Sequence, residues 1–461
     1  MTVHKEDKKI LERDETTADA CDGDCKKQVK KVKGWINSLY VESIILDGKP
    51  CFLCCDKKTS NIGIIRAVET RDRIYVPLEE EDQGYIPYKF SEGELEKILE
   101  LGDGKETLLD EISRGVEEYI NADANIKHLL QGDLFLTYCQ EWITTTHFLY
   151  CVGETESGKS SVLHLFKHLA YRCLYGVEIP TANIYNFLGK DEEATGTIAE
   201  DEAQDMEFER DKIRLYKSSY ESGSVKPIVY MTKEVKRQVY YKTFCFKLFA
   251  GERVPDDKGF EERLAVVHMV QGLPKKNIKF IDNQEREAME FLRKRLLVWK
   301  VRNIEKGLEP IDSDLKLRDQ ELWEDFLRIS SGTKYHEKFQ GVVDFFIRQR
   351  QSKIKDSLEA RIFDVMKDIL NSGHVNFEEL WERITGPRSK ISGILEKGTY
   401  LEHETGRRIT RNSLSKILEE KFQGIKNSRI HYGRIYPQKT TSYIFDKNVL
   451  ETLAKKYNPS M

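Results

Sequence analysis

Apolar positions change their spacing several times along this chain, and each change predicts a change of element. From Gly34 to about Phe90 they come in short runs: Ser43-Ile44-Ile45-Leu46, Cys51-Phe52-Leu53-Cys54, Asn61-Ile62-Gly63-Ile64-Ile65 and Arg73-Ile74-Tyr75-Val76-Pro77. Such runs, divided by Asp-Gly and charged turns, predict strands. Ser91-Glu92-Gly93-Glu94 then reads as a capping box, and Leu95, Ile98 and Leu99 open a helical stretch that reaches Ile120. Strand and helix alternate from about 121 to 275, the signature of an open α/β sheet. Helical periodicity dominates 284–365, through Phe291, Leu292, Leu296, Leu297 and Trp299, then Leu322, Trp323, Phe326 and Leu327. The last section predicts helices from Ala360 to Leu370 and Asn376 to Ile384. A further helix carries Leu414, Ile417, Leu418 and Phe422. Two strand-like runs follow, Arg429-Ile430-His431-Tyr432 and Ser442-Tyr443-Ile444-Phe445, around a Pro437-Gln438-Lys439-Thr440 turn, with Asp446 capping a closing helix.

At 461 residues the chain exceeds what one core organises, so two to four domains are expected. The patterning divides it into a charged, flexible tail over 1–33, a β-rich module over 34–120, an α/β core over 121–275, a helical unit over 276–365 and a helix-plus-hairpin domain over 366–461. The tail reading rests on its alternating charges and few apolar groups, which bury too little surface to offset the entropy of ordering. No apolar stretch approaches the ~20 residues of a membrane span, and the first residues lack a secretory apolar core, so a cytoplasmic protein without a membrane partner is expected. Nine cysteines then stand mostly reduced. Cys21 and Cys25 with Cys51 and Cys54 or Cys55 resemble halves of a zinc site, but Cys51-Phe52-Leu53-Cys54-Cys55 reads better as an apolar strand using cysteine as a small hydrophobe.

One motif carries chemistry on its own. Gly153-Glu154-Thr155-Glu156-Ser157-Gly158-Lys159-Ser160 fits G-x-x-x-x-G-K-[ST] and lies between the strand-like run His147-Phe148-Leu149-Tyr150-Cys151-Val152 and the helical positions Val162, Leu163, Phe166 and Leu169. Strand, glycine loop and helix is the order a phosphate cradle requires. Glycines let backbone N–H groups curl round phosphates, the helix N-terminus presents its positive end, Lys159 reaches the β/γ oxygens and Ser160 binds Mg²⁺, with Ser161 completing the segment. ATP and Mg²⁺ are therefore the expected cofactors.

Downstream, Thr197-Ile198-Ala199-Glu200-Asp201-Glu202 reads as a strand ending in adjacent acids, Asp201 for Mg²⁺ and Glu202 to orient or deprotonate the attacking water. Phe244-Cys245-Phe246-Lys247-Leu248-Phe249-Ala250-Gly251 reads as a third strand. After it, where related ATPases place a polar γ-phosphate sensor, stand Glu252 and Arg253. Arg263, just before the apolar Leu264-Ala265-Val266-Val267-His268, is a candidate to reach a neighbouring subunit's site, with a structural pairing to Glu261 or Glu262 as the plainer alternative.

The order of these motifs resembles the AAA+, superfamily-3-like ATPase module of phage and plasmid primase-helicases, over about residues 120 to 461 and without a recognisable primase part. Ala170-Tyr171-Arg172, Thr181-Ala182-Asn183-Ile184-Tyr185, Asp201-Glu202-Ala203, Phe249-Ala250-Gly251 through Pro255 and Arg263 before a strand add to the loop, as do Leu292-Arg293-Lys294-Arg295-Leu296, Arg318 to Glu324, and Arg408 to Tyr457. The resemblance implies a P-loop NTPase core with a helical lid-like unit, a winged-helix-like C-terminal domain and a homo-oligomeric ring. It also implies an ATP-driven translocase or helicase acting on single-stranded or forked DNA in the replication of a mobile element.

The charge distribution agrees with a nucleic-acid partner at the C-terminal end. Residues 371–461 hold 16 Lys and Arg against 10 Asp and Glu, whereas the whole chain carries −4. Arg407, Arg408, Arg411, Lys416, Lys421, Lys426, Arg429, Arg434 and Lys439 interleave with Tyr432, Tyr436 and Tyr443, a mixture suited to phosphate contacts and base stacking. The competing expectation is an ATP-switched DNA-binding regulator or defence component that assembles on DNA without unwinding it.

Overall fold

The computed structural model describes residues 26–82, 87–189, 196–231, 236–385, 409–432 and 437–457. It divides into two compact units, 1–335 and 336–461.

The first unit opens with β1 (Lys27–Lys31), β2 (Lys33–Ile36), β3 (Leu39–Leu46), β4 (Lys49–Asp56), β5 (Ile62–Ile65), β6 (Val68–Glu69), β7 (Arg73–Pro77) and β8 (Lys89–Phe90). β2-β3-β4-β5 form an antiparallel sheet joined by β8, and β1-β7-β6 form a smaller one. β1 and β2 begin inside the stretch expected as a flexible tail. Ion pairs explain the order there: Lys26 meets Glu69 at 2.7 Å, Lys30 meets Asp82 at 2.6 Å, and Lys33 is buried against Glu141 at 2.6 Å. β3 and β4 are buried along nearly their whole length, and Cys51, Cys54 and Cys55 lie in that core as the small hydrophobes the pattern predicts. Cys21 and Cys25 fall outside the described residues.

Helices α1 (Glu92–Leu101), α2 (Lys105–Tyr119) and α3 (Ala124–Leu136) follow. Ser91 starts α1 by accepting the Glu94 N–H at 3.2 Å. Then come β9 (Phe148–Val152), α4 (Lys159–Leu169), β10 (Cys173–Val177), α5 (Thr181–Leu188), β11 (Thr197–Asp201), α6 (Arg210–Ser218), β12 (Val225–Met231), β13 (Lys236–Lys242), β14 (Lys247–Gly251), α7 (Lys258–Glu261) and β15 (Leu264–His268). Five of these strands make one parallel sheet in the order β10-β11-β14-β9-β15. Phe148, Tyr150, Ile198, Phe249 and Phe260 pack in its core. This is a mixed α/β architecture with a parallel sheet, as the alternation of strand and helix predicts.

The region expected as one helical unit at 276–365 is shared between the two units. α8 (Asn283–Arg302) and α9 (Leu317–Arg328) belong to the first, and α10 (His336–Lys355) opens the second. α8 is held by burial rather than by amphipathicity: Leu296, Leu297, Val298, Lys300 and Val301 are all buried, so both faces meet protein.

The second unit continues with α11 (Leu358–Ile369), β16 (His374–Asn376), α12 (Phe377–Thr385), α13 (Arg411–Lys416), β17 (Ile425–Tyr432), β18 (Pro437–Ile444) and α14 (Lys447–Tyr457). β16-β18-β17 form an antiparallel sheet over a core containing Phe363, Met366, Leu380, Leu414, Leu418, Phe422 and Tyr443. Pro437 to Thr440, expected as a turn, instead open β18 and pair with Tyr432 to Arg429. A proline is tolerated at the first residue of a strand, where no ladder N–H is missed. Asp446 caps α14 through the Asn448 N–H at 2.8 Å.

Candidate nucleotide site

The ends of β9, β11 and β14 and the start of α4 meet at the carboxyl edge of the parallel sheet, where ligands of open α/β sheets bind. β14 lies between β9 and β11, with Gly251 paired to Val152 and Glu200 to Phe249, so the loop and the acids face each other across one strand. Between β9 and α4 the chain turns through Glu156 at φ 64° and Gly158 at φ 93°. At Gly153 a Cβ would approach the Met269 carbonyl to 2.5 Å and Ser157 Oγ to 2.6 Å, so only glycine fits. Helix α4 has no side-chain cap at its N-terminus. Its first N–H groups and positive dipole end are left for an anion.

Lys159 folds back over the loop and donates to the carbonyl oxygens of Gly153 and Glu154, the latter at 2.7 Å. Ser160 Oγ donates to Asp201 Oδ2 at 3.3 Å, bringing together two residues 41 positions apart. Ser157 Oγ is buried without a hydrogen-bond partner among the described residues. Hard oxygens from Ser160 and Asp201, beside an uncapped helix end and a lysine resting on two carbonyls, fit the chemistry of a magnesium-bound phosphate.

β11 is buried although it ends in carboxylates, and side-chain alternation explains how. Glu200 turns into the core, where it accepts from the Ile179 N–H at 2.9 Å and the Tyr216 hydroxyl at 2.8 Å and pairs with Lys212. Burial pushes its carboxyl pKa up against the pull of Lys212. Asp201, half-buried, faces Ser160 from the other side. Glu202 takes the left-handed conformation, φ 56°, and donates its N–H to Asp201 Oδ1 at 3.1 Å.

Sequence reasoning missed Gln204. Its Nε2 donates to Glu202 Oε2 at 2.8 Å, and its buried Oε1 has no partner among the described residues. The same amide lies against Gly251, where a Cβ would meet Oε1 at 2.8 Å. A polar group thus reaches the end of β14 from the acid loop rather than from β14 itself. Glu252 is exposed, and Arg253 is committed to Asp205 at 2.7 Å and Glu207 at 2.6 Å.

Arg263 lies at the opposite edge of the sheet, since the next residue, Leu264, pairs with Phe148 while His268 pairs with Val152. Its guanidinium stacks over the Tyr220 ring at 4.4 Å and donates to the Gly259 carbonyl, with Arg318 over the same ring at 4.9 Å. Five residues of strand separate it from its own chain's loop, about 16 Å. On that same side stands a second feature absent from the sequence reading, the antiparallel hairpin β12–β13 between α6 and β14, carrying exposed Lys226 and Lys242. The short β-branched and aromatic runs Ile228-Val229-Tyr230 and Val239-Tyr240-Tyr241 were its available signal.

In the second unit several of the expected DNA-contacting groups are engaged internally. Arg411 pairs with Glu378 and lies over Phe377 and Trp381, Lys421 pairs with Glu359, and Lys426 pairs with Glu419 at 3.3 Å. Tyr443 is buried, its hydroxyl bonded to Ser415 and to Glu419 at 2.8 Å, so it is core rather than a stacking platform. Arg407, Arg408, Arg434 and Tyr436 lie outside the described residues. Among the described residues no helix is long and apolar enough to cross a membrane.

No protein-family model matches the chain, and no curated protein sequence does. Among solved structures the chain is similar to the apo C-terminal region of NrS-1, at 12% identity over 88% of this chain and 96% of that one, with a TM-score of 0.34. It is also similar to a full-length MCM homologue from Methanopyrus kandleri, at 12% identity over 67% of this chain and 77% of that one, TM-score 0.34. JCV helicase is similar at 8% identity over 55% of this chain and 65% of that one, TM-score 0.25. Likenesses this distant carry no functional weight, and the assignment of a function rests on the geometry of the site.

Proposed function

We propose that this chain is an ATP-hydrolysing motor that acts on single-stranded or forked DNA as a homo-oligomeric ring. The observation that carries the reading is the approach of Ser160 to Asp201 across the β9–β14–β11 edge, beside an uncapped helix end. Ser160 and Asp201 would hold Mg²⁺, which when bound neutralises charge on the β and γ phosphate oxygens. Lys159 exchanges its two carbonyl contacts for phosphate oxygen. Glu202 orients the attacking water and takes its proton, and the Gln204 amide fixes the Glu202 carboxylate. Arg263, too far from its own loop, serves the site of an adjoining subunit. The hairpin β12–β13 supplies lysines to the phosphate backbone, and the 366–461 region acts as a winged-helix-like DNA-binding domain.

ATP turnover should rise severalfold when single-stranded DNA is added, with Lys226→Ala/Lys242→Ala blunting that rise at high salt first. Equal phosphate release with and without DNA would remove the motor reading. The ring makes a separate demand. Arg263→Ala protein should bind ATP normally yet hydrolyse it about 10²-fold more slowly. Mixing it with Lys159→Ala protein should restore part of the lost rate, because mixed rings contain sites with both residues intact. No recovery on mixing returns Arg263 to a purely structural role on Tyr220.

One observation favours a second reading. β14 ends without an Asn, Ser or Thr, and Arg253 is tied to Asp205 and Glu207, so nucleotide could control assembly on DNA without unwinding. A strand-displacement assay separates the two: ATP-dependent assembly on DNA without displacement selects the switch.

A further inference from the structure

Beyond the first turn of α4 a cavity of about 720 Å³ opens between α4, the Ile278–Phe280 turn and α8. Its wall carries Lys167, Lys279, Arg286 and Arg293 with His164 and His168, against a single carboxylate, Glu290. That carboxylate is drawn to Lys294 at 3.3 Å. Ile278 and Ile281 supply the apolar part of the wall. Arg293 is buried, its guanidinium donating to the Pro87 carbonyl at 2.9 Å and lying 4.3 Å over the Tyr88 ring, so one cation is fixed rigidly at the cavity's base. Lys279 and Arg286 are exposed and make no ion pair among the described residues.

Lys279 and Arg286 bring two positive charges to a concave space of ligand size beside the buried Arg293 and beside Lys167, which lies over the Tyr175 ring at 5.3 Å, and an anion entering there would relieve their mutual repulsion. His168 registers that repulsion. Burial lowers its pKa to about 4, and Lys167, His164, Arg286 and Arg293 push in the same direction. None of the cavity's lining residues belongs to the 153–161 loop, and His164 and His168 stand one and two helical turns beyond Ser160, about 6 and 12 Å along the axis. The cavity is also chemically unsuited to the neutral base of a nucleotide held by the loop, which offers nothing to offset the desolvation of four cations.

We propose that this cavity is a second anion site, taking a small ligand with two or more clustered phosphate groups while the glycine loop holds its own nucleotide. The inference keeps the glycine loop's assignment but does not need its activity. A long phosphodiester strand suits the space less well than a compact polyphosphate, because the cations converge from three elements rather than lining a track.

Inorganic tripolyphosphate is the probe, read by calorimetry on the full chain. Lys159→Ala protein, crippled at the loop, should keep one binding site per chain. Lys279→Glu/Arg286→Glu in that background should weaken it at least about tenfold, the scale of about 1.4 kcal/mol. Both residues are exposed, so the variants should melt as the parent does. Lys279→Glu/Arg286→Glu alone should leave Mg-ATP binding unchanged, which separates failure here from failure of the loop assignment. Bound probe should also raise the His168 pKa, since an anion stabilises the imidazolium. Absence of residual binding in Lys159→Ala protein, or binding indifferent to the charge reversal, overturns the proposal. So does a reversal that weakens binding of a single-stranded oligonucleotide while sparing tripolyphosphate.

Discussion

Lys159→Ala should lower ATP turnover by about 10²–10³-fold or more, and Glu202→Gln should do so by about 10²–10⁴-fold while leaving nucleotide binding intact. The difference arises from where each group acts. Lys159 rests on the Gly153 and Glu154 carbonyls and has no anionic partner among the described residues, so its charge is available to phosphate in both ground and transition states. Removing it costs affinity as well as rate. Glu202 sits past Asp201, in a left-handed turn, with Gln204 holding its carboxylate. Its amide replacement keeps the shape and the Gln204 contact but cannot take a proton. Phosphate release and binding of a fluorescent ATP analogue, measured on both variants, give the two readouts. A Glu202→Gln enzyme within about threefold of the parent rate would show that the base lies elsewhere.

Glu42→Ala should destabilise the first unit by about 3–5 kcal/mol, the cost of leaving buried charges without their partner. Glu42, on β3, is buried and accepts from Lys300 at 2.6 Å, Arg172 at 3.1 Å, and the Tyr171 and Tyr40 hydroxyls. Glu141 shares Lys300 at 2.8 Å and takes Lys33 at 2.6 Å. Strand module, Ala170-Tyr171-Arg172 segment and α8 are thus tied by five charges, two negative and three positive, all buried except the partly buried Glu141. Burial opposes the ionisation of Glu42, yet Lys300 and Arg172 outweigh it and hold the pKa below its ordinary value; Glu141 is displaced in the same direction by Lys300 and Lys33. A depressed carboxylate contributes stability that is complete above its unfolded pKa and is lost as pH falls through the folded one. The parent should therefore lose stability on acidification below the ordinary carboxylate range, and Glu42→Ala should lose less over the same interval. Denaturant titrations at neutral and acid pH test both statements. A variant as stable as the parent would show that water or rearrangement satisfies Lys300 and Arg172.

How much of the fold and site is legible in the sequence depends on whether the signal is local. The glycine loop is legible because its spacing, its preceding β-branched run and its following helical period all lie within about twenty-five residues. Asp201 and Glu202 are legible only as a pair of acids ending a weakly apolar strand. Glu200 makes that strand look exposed, whereas its side chain is absorbed by Lys212, Tyr216 and the Ile179 N–H, three partners no local pattern identifies. The hairpin β12–β13 escapes notice because its charges interrupt two short apolar runs. The C-terminal lysines and arginines count as a basic surface, but Glu378, Glu359 and Glu419 already engage three of them.

By itself the sequence determined where the phosphate-type loop stands, which strand precedes it and which helix follows it, because backbone conformation is set by residue type and spacing over a few turns. Only the tertiary structure decided that β14 inserts between loop and acids, that Gln204 reaches the position Glu252 and Arg253 were expected to fill, that Arg263 lies at the far edge, and that α8 brings its arginines to α4 to enclose a cationic cavity. These are pairings between residues tens to hundreds of positions apart, set by sheet order and by the burial of charge, and neither leaves a periodic mark on the chain.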